Sequence, residues 1–171
     1  MKKMKKIMLM MVGALLMAAC ATLTPEEKAA RLEERMEVVK EAVKDQQYRI
    51  NISSMRPLRG NKMDVFNQYI KVDGNKVICY VPYLGVDDIP HIKSFSELRH
   101  DSRLDFTSEI TNYLFRLDVK EDKGIITFNA AHGLDKFKFT LALTKDGEAK
   151  VRIEPERRDY IDYEGKLDKL R

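Results

Sequence analysis

The sequence predicts a mainly β protein of the α+β class, with one N-terminal helix and an antiparallel sheet of about seven or eight strands. Apolar residues recur at helical spacing over 29–43. From residue 48 onward, apolar and polar residues alternate in short runs, as in strands with one buried face. Turn sequences rich in Gly, Asp and Asn separate many of those runs. A curved sheet, a sandwich or a partly open barrel would fit this pattern, with the helix against the sheet or across an end.

The sequence before the apolar stripe contains the residues that typically begin a helix. Thr24 suits the N-cap, Pro25 suits the first helical position, and Glu27 completes a capping box. One apolar stripe follows, and its members are Ala29, Leu32, Met36, Val39 and Val43. We expect the C-terminal half of the stripe to pack on the domain while the first turns form a stalk. The alternative is that the stripe binds a partner.

The clearest hairpin covers residues 69–85, and its turn allows two registers. A turn centred on Gly74 and the following Asn places Asp73 opposite Lys76. A turn one residue earlier places Lys71 opposite Lys76, and like charges there cost roughly 0.5–1 kcal/mol. Glycine also suits the first central position of a type II′ turn, where φ is positive. The sequence therefore favours the first register.

The hairpin ends in a corner. Pro82 has no N–H for a ladder, so the second strand ends, bulges or lies at an edge there, and Gly85 lets the backbone turn away. Alternation places Tyr83 on the same face as Cys79 and Val81, where its ring would be buried and its hydroxyl would need a partner. The alternative is that the Tyr83 ring lies at the mouth of a cleft and stacks on a ligand.

The motif of residues 69–85 is Tyr-x-x-Val-x-Gly-Asn-x-Val followed by Val-Pro-Tyr-Leu-Gly. It resembles a family of small Bacteroidetes lipoproteins that contain domain of unknown function 4251. The usual family form is close to Leu-Pro-Tyr-Phe-Gly, so Val81 and Leu84 depart mildly from it. The resemblance covers residues 38–167. It implies membrane attachment through lipid, and the family has no assigned activity to carry over.

Alternation places the other strands as well. The first strand starts at Tyr48 and ends near Met55, because Pro57 interrupts the pattern. Further strands are predicted at 113–119, 126–130, 137–143 and 149–153, with a final strand over 160–165 that ends at Gly165.

The loop between the strands at 137–143 and 149–153 has a register that can be worked out. A two-residue turn would place Leu143 opposite Lys150, on the wrong face. A three-residue loop over 145–147 places Leu143 opposite Ala149 instead. That loop is a type I turn followed by a bulge, which requires a left-handed conformation at Gly147.

Residues 86–108 lack a clear pattern, and we expect a loop there with some short strand pairing or a cover over a sheet end. Asp87, Asp88 and His91 lie in it, and they suggest a metal site. Metal sites need three or four convergent ligands, and this spacing matches no known ligand motif. We therefore predict no metal and no cofactor. Long connections are often functional, so Tyr83, Asp87, Asp88 and His91 are candidate contacts for a ligand or partner.

The N-terminus predicts export and lipidation. Residues 1–19 have a lysine-rich start and an apolar stretch too short to span a bilayer, as in a signal peptide. Ala-Ala precedes Cys20, as in a lipobox, so Cys20 is the predicted lipidation site and mature N-terminus. Residues 20–37 would form the lipid-anchored N-terminus and an exposed helix start, and residues 38–171 a single β-rich domain. We expect the cell envelope as location, with the outer membrane favoured.

Charge excludes some functions. The net charge of +4 equals the four lysines of the signal peptide, so the mature chain is balanced and no nucleic-acid partner is expected. After lipidation of Cys20 only Cys79 remains, and its inward position predicts a buried small hydrophobe.

The sequence contains no recognisable catalytic set and no phosphate-binding loop. We therefore expect a non-catalytic module that binds an envelope ligand or protein partner. The alternatives are a structural or assembly lipoprotein that acts through its N-terminal helix and, less favoured, a hydrolytic enzyme. Exposure of Tyr69, Tyr80, Tyr83 and Phe95 along an open cleft would favour ligand binding, whereas buried rings and an exposed apolar helix would favour a protein partner.

Overall fold

The computed structural model describes residues 24–84 and 103–169. The described part of the chain divides into two units, with the boundary between Arg31 and Leu32. The described helices and strands, in chain order, are α1 (Pro25–Arg35), α2 (Glu37–Lys44), β1 (Gln47–Pro57), β2 (Met63–Asp73), β3 (Lys76–Pro82), β4 (Arg103–Asp118), β5 (Lys123–His132), β6 (Asp135–Leu143), β7 (Glu148–Pro155) and β8 (Ile161–Lys169).

Eight antiparallel strands form a closed barrel in which each strand pairs with its neighbours in sequence. The last strand pairs with the first, and Ile50 lies opposite Leu167. Closure leaves no edge strand in the barrel, which removes a template for aggregation. The predicted fold class is confirmed, and a closed barrel is the arrangement that the chain adopts.

Both registers derived from turn chemistry are confirmed. Asp73 lies opposite Lys76, and Gly74 has a φ of 60°. In the later hairpin, Leu143 lies opposite Ala149, and Gly147 has a φ of 79°. These turns could be predicted because a single glycine conformation and one buried face leave only one register without strain.

The start of α1 is also as predicted. The backbone N–H of Glu27 donates to Thr24 Oγ1 at 3.2 Å, and the N–H of Thr24 donates to Glu27 Oε2 at 2.9 Å. These two bonds form the reciprocal capping box, which satisfies two backbone donors at the helix start.

Strand β4 includes residues 103–108, which were predicted to lie in a loop with some short strand pairing. It begins at Arg103, ten residues before the predicted start at Tyr113. A bulge near Asn112, whose φ is 55°, inverts the alternation, so the inward positions before and after it have opposite parity. Val119 belongs to the following turn and is 39% exposed, so its predicted place in the strand is wrong.

Two predicted strand ends are also wrong. β1 continues through Pro57, two residues beyond Met55. β8 does not end at Gly165 but continues to Lys169. Gly165 lies opposite Ile52 beside a bulge in β1, and a Cβ atom there would come within 2.1 Å of the Asn51 carbonyl oxygen. This glycine therefore marks a close approach of two backbones inside a strand, not a stop.

The barrel interior is filled by inward side chains. The largest fully buried ones include Tyr48, Tyr163, Phe128 and Phe139. The helical stripe contributes to the same core, since the exposed fraction is at most 2% at each of Leu32, Met36, Val39 and Val43. The prediction that the C-terminal half of the stripe packs on the domain is confirmed.

Met36 shows how closely the helix meets the barrel. A Cβ atom at Gly124 would lie 2.9 Å from the Met36 methyl carbon and 2.8 Å from the Phe115 ring. The missing side chain of Gly124 therefore makes room for Met36, the residue between α1 and α2, at that end of the barrel.

Candidate functional site

Tyr83 is the one candidate site residue within the described ranges, and it belongs to the core. Only 3% of it is exposed, and its hydroxyl donates a hydrogen bond of 2.6 Å to the Asp159 carbonyl oxygen. The Arg158 guanidinium carbon lies 4.7 Å from the centre of its ring. The ring is therefore not an open surface on which a ligand could stack. Cys20, Asp87, Asp88 and His91 lie outside the described residues.

Cys79 is a free thiol that no solvent reaches. Burial is the main cause that raises the pKa of this thiol above its ordinary value, and the charge of Asp105 adds to it. A thiol held in its neutral form is a poor nucleophile, which fits the buried-hydrophobe interpretation.

Tyr69 and Tyr80 lie side by side on the outer face of the barrel, with ring centres 5.6 Å apart. The Arg49 guanidinium covers the Tyr69 ring at 4.0 Å, and the Arg103 guanidinium covers the Tyr80 ring at 4.4 Å. Arg103 also donates a hydrogen bond to the Tyr80 hydroxyl. Each tyrosine ring therefore contacts the other ring and one arginine. A sugar would need ring faces that these cation–π contacts already cover.

A polar groove of about 620 Å³ lies on the outer wall of the barrel, across β6, β7, β8 and β1. This volume is within the usual range of small-molecule sites. Four adjacent strands at about 4.8 Å spacing make the groove roughly 14 Å wide. Its lining residues with charged side chains are Arg56, Lys62, Lys138, Lys150, Arg152, Glu154, Asp162 and Glu164. We call this site the basic groove.

Strand register brings the charges of the basic groove together. Asp162 lies opposite Arg152 of β7 and opposite Arg56 of β1. Arg152 Nε and Nη2 donate to the two carboxylate oxygens of Asp162 at 2.7 Å and 2.9 Å. The Arg152 guanidinium also lies 4.1 Å from the centre of the Tyr160 ring. A two-point bond and a stacked ring hold this arginine in one orientation.

Glu164 is the second acidic group of β8 in the basic groove. Lys62 donates a hydrogen bond to its carboxylate, which is the largest cause that lowers the pKa of Glu164. Burial opposes that shift, and the positive charges of Lys62, Lys150 and Arg56 add to it. Glu164 therefore remains ionised within a cluster of cations.

A second groove, of about 730 Å³, lies across β4, β5 and β6. Its lining includes the buried core residues Ala130 and Phe137, and Lys138 and Glu154 line both grooves. The Lys138 ammonium lies 3.5 Å from the Glu154 carboxylate. Basic side chains do not outnumber acidic ones here, so the positive excess is a property of the basic groove.

Sequence reasoning missed the basic groove. Its residues are outward-facing positions of the predicted strands, where charged side chains are ordinary. The sequence does show basic residues at 138, 150 and 152, which could have indicated the groove. No local sequence pattern, however, indicates that β8 and β1 bring further charges beside them. Among residues 24–84 and 103–169, no group of three His, Cys, Asp or Glu side chains is arranged to hold a metal. No helix in these ranges is long and apolar enough to cross a membrane.

Comparison with known proteins identifies the family of this chain. The model of the family "Domain of unknown function (DUF4251)" matches residues 30–167. A crystal structure of a DUF4251 family protein from Bacteroides eggerthii, at 1.95 Å resolution, is similar with a TM-score of 0.56. The two sequences are 18% identical, and the alignment covers 82% of this chain and 90% of that chain, so the likeness shows a shared fold. No functionally curated protein matches. Because the family model matches most of the chain, the protein belongs to the DUF4251 family.

Proposed function

We propose that the protein is a lipid-anchored lipoprotein of the cell envelope, and that its barrel is a non-catalytic module that binds a ligand in the basic groove. The observation that carries the binding role is the groove itself, a site of about 620 Å³ lined by charged and polar side chains from four strands. The sequence before Cys20 supports the anchor, since a basic start, a short apolar stretch and Ala-Ala-Cys are typical of lipoproteins.

The inward side chains of the barrel and most of the apolar stripe of the helix are already packed in the core. Inward side chains such as Ile70, Cys79 and Leu141 are fully buried, so they present no surface to a ligand outside the barrel. Four of the five stripe residues of the helix are buried in that core, which disfavours the stripe as the surface for a partner. The outer wall is where side chains remain available.

Chemical labelling of lysines tests the groove. The mature protein would be labelled with an amine-reactive reagent, with and without the glycan and metabolite fraction of an envelope extract, and labelling at each lysine would be quantified by mass spectrometry. Lys62, Lys138 and Lys150 line the basic groove, while Lys76 is an exposed control on β3. We expect joint protection of the three groove lysines and unchanged labelling of Lys76. Protection confined to lysines elsewhere, or no protection, would oppose the groove as the binding site.

A further inference from the structure

The basic groove contains more cations than its own carboxylates can neutralise. Five basic and three acidic side chains line it. Three ion pairs use three of the cations: Lys62 with Glu164, Lys138 with Glu154, and Arg152 with Asp162. Arg56 and Lys150 remain, and neither forms an ion pair with any residue in the described part of the chain.

The two remaining cations approach from opposite sides of β8. Arg56 belongs to β1 and lies opposite Asp162, whereas Lys150 belongs to β7 and lies opposite Glu164. Both side chains are exposed. Cross-strand neighbours on one face are about 5 Å apart, so each cation is also a diagonal neighbour of the other carboxylate. A bound anion over β8 would therefore meet positive charge from both flanking strands.

The positive excess is local. The chain outside the signal lysines is balanced in charge, so general basicity does not account for two unpaired cations in one groove. The carboxylates opposite Arg56 and Lys150 already have other partners, since Asp162 accepts from Arg152 and Glu164 pairs with Lys62. The fixed orientation of Arg152 provides a rigid wall beside the unpaired cations.

We propose that the ligand of the basic groove is anionic, and that Arg56 and Lys150 bind its carboxylate or phosphate groups above β8. This inference rests on the proposed function and adds the chemical class of the ligand. A guanidinium binds such groups through two parallel hydrogen bonds, and an ammonium binds them as a point charge. The groove width of roughly 14 Å is enough for a ligand of more than one ring. Acidic sugars and free phosphate share this chemistry.

Binding measurements on the mature chain test the inference. The probes are a hexamer of galacturonic acid, inorganic phosphate and the neutral maltohexaose, each titrated by calorimetry at low and high salt. The test variant is Arg56→Gln with Lys150→Gln. The matched control is Arg116→Gln with Lys145→Gln, which removes the same charge from exposed positions outside both grooves. Thermal melts verify that both variants fold.

We expect an anionic probe to bind the wild type, with affinity that falls as salt rises, and maltohexaose to bind more weakly. The test variant should lose about tenfold or more in affinity relative to the control, because charge-assisted bonds are lost. Binding by the hexamer alone would assign the site to acidic glycans, and binding by phosphate as well would show that an isolated anion suffices. Either result supports the inference.

A variant that should gain affinity, Glu164→Gln, provides an independent test. Glu164→Gln removes the carboxylate that competes for Lys62, so the uncompensated cations increase from two to three. We expect several-fold tighter anion binding in this variant. The inference is overturned if neither anion binds, if the test variant matches its control, or if Glu164→Gln does not bind more tightly. The proposed function would survive such a result if the groove lysines are still protected by envelope material, since the ligand would then be neutral.

Discussion

The hydroxyl of Tyr163 donates a hydrogen bond of 2.7 Å to the carbonyl oxygen of Pro82, and this bond connects β8 to β3 through the barrel interior. Pro82 is the last residue of β3, where the hairpin motif turns into its corner. One residue later, the Tyr83 hydroxyl donates to Asp159 in the β7–β8 connection. Two tyrosines thus attach the corner at residues 82–83 to the last part of the barrel, which explains why this motif is structural.

Substitution of Tyr83 tests that structural role. Tyr83→Phe should lower the free energy of unfolding by about 1 kcal/mol, because it removes one hydrogen bond. Tyr83→Ala should lower it by about 3–5 kcal/mol, because a buried ring leaves a cavity. Thermal melts and urea titrations measure both values. A Tyr83→Ala variant that melts within about 1 °C of the wild type would show that the ring contributes nothing to the core.

Alkaline pH should destabilise the protein, because several tyrosine hydroxyls are buried or partly buried. Burial is the largest cause that raises the pKa of Tyr48, Tyr113 and Tyr163 above the ordinary 10.0. In the unfolded chain these groups ionise near the ordinary value, so above it the folded state binds more protons. The stability from each group is complete below about pH 10 and is lost as the pH rises from there through the folded pKa of that group.

Tyr163→Phe isolates one of these groups. At about pH 8 the variant should be less stable than the wild type by about 1 kcal/mol, through loss of the bond to Pro82. Between about pH 10 and 11 the difference should shrink or reverse, because the variant has one fewer buried acid to titrate. Urea titrations across this range measure the difference. A difference that stays constant with pH would mean that Tyr163 ionises equally in both states.

Gly165→Ala should be severely destabilising, by about 3 kcal/mol. The added Cβ would lie 2.1 Å from the Asn51 carbonyl oxygen, and two paired strands cannot separate there without loss of their ladder. Gly74→Ala is the control, since Gly74 has a φ of 60° and open space around it. The control should cost about 1 kcal/mol, from backbone conformation alone. Equal losses in the two variants would refute the close contact as the cause.

Lipidation at Cys20 is tested in the intact organism or in a bacterial host that processes lipoproteins. Metabolic labelling with a palmitate analogue should mark the wild type and not Cys20→Ser. The wild type should also partition with the membrane fraction, because two or three acyl chains at ~0.8 kcal/mol per buried CH₂ hold it there. Equal labelling of the two proteins would end the lipoprotein proposal. Cys79→Ser is the control, and it should be labelled as strongly as the wild type because the modification is expected at Cys20 alone.

The parts of the fold that were predicted correctly depend on short-range interactions. The capping box of Thr24 and Glu27 lies within one helical turn. The registers at Gly74 and Gly147 follow from one turn and the alternation beside it. In each case the competing arrangement would have placed a charge on the buried face, opposed two like charges or strained a non-glycine residue, so the residues themselves exclude it.

The features that could not be predicted depend on which distant segments meet. Gly165 looks like a strand end until β8 pairs with β1, where its missing Cβ makes room for Asn51. The early start of β4 at Arg103 follows from pairing with β3, since its own sequence alternates only partly there. The basic groove forms because barrel closure brings Arg56 of β1 beside the charges of β7 and β8. Long-range pairing is governed by the fit of whole faces and by chain closure, and no local pattern encodes either one.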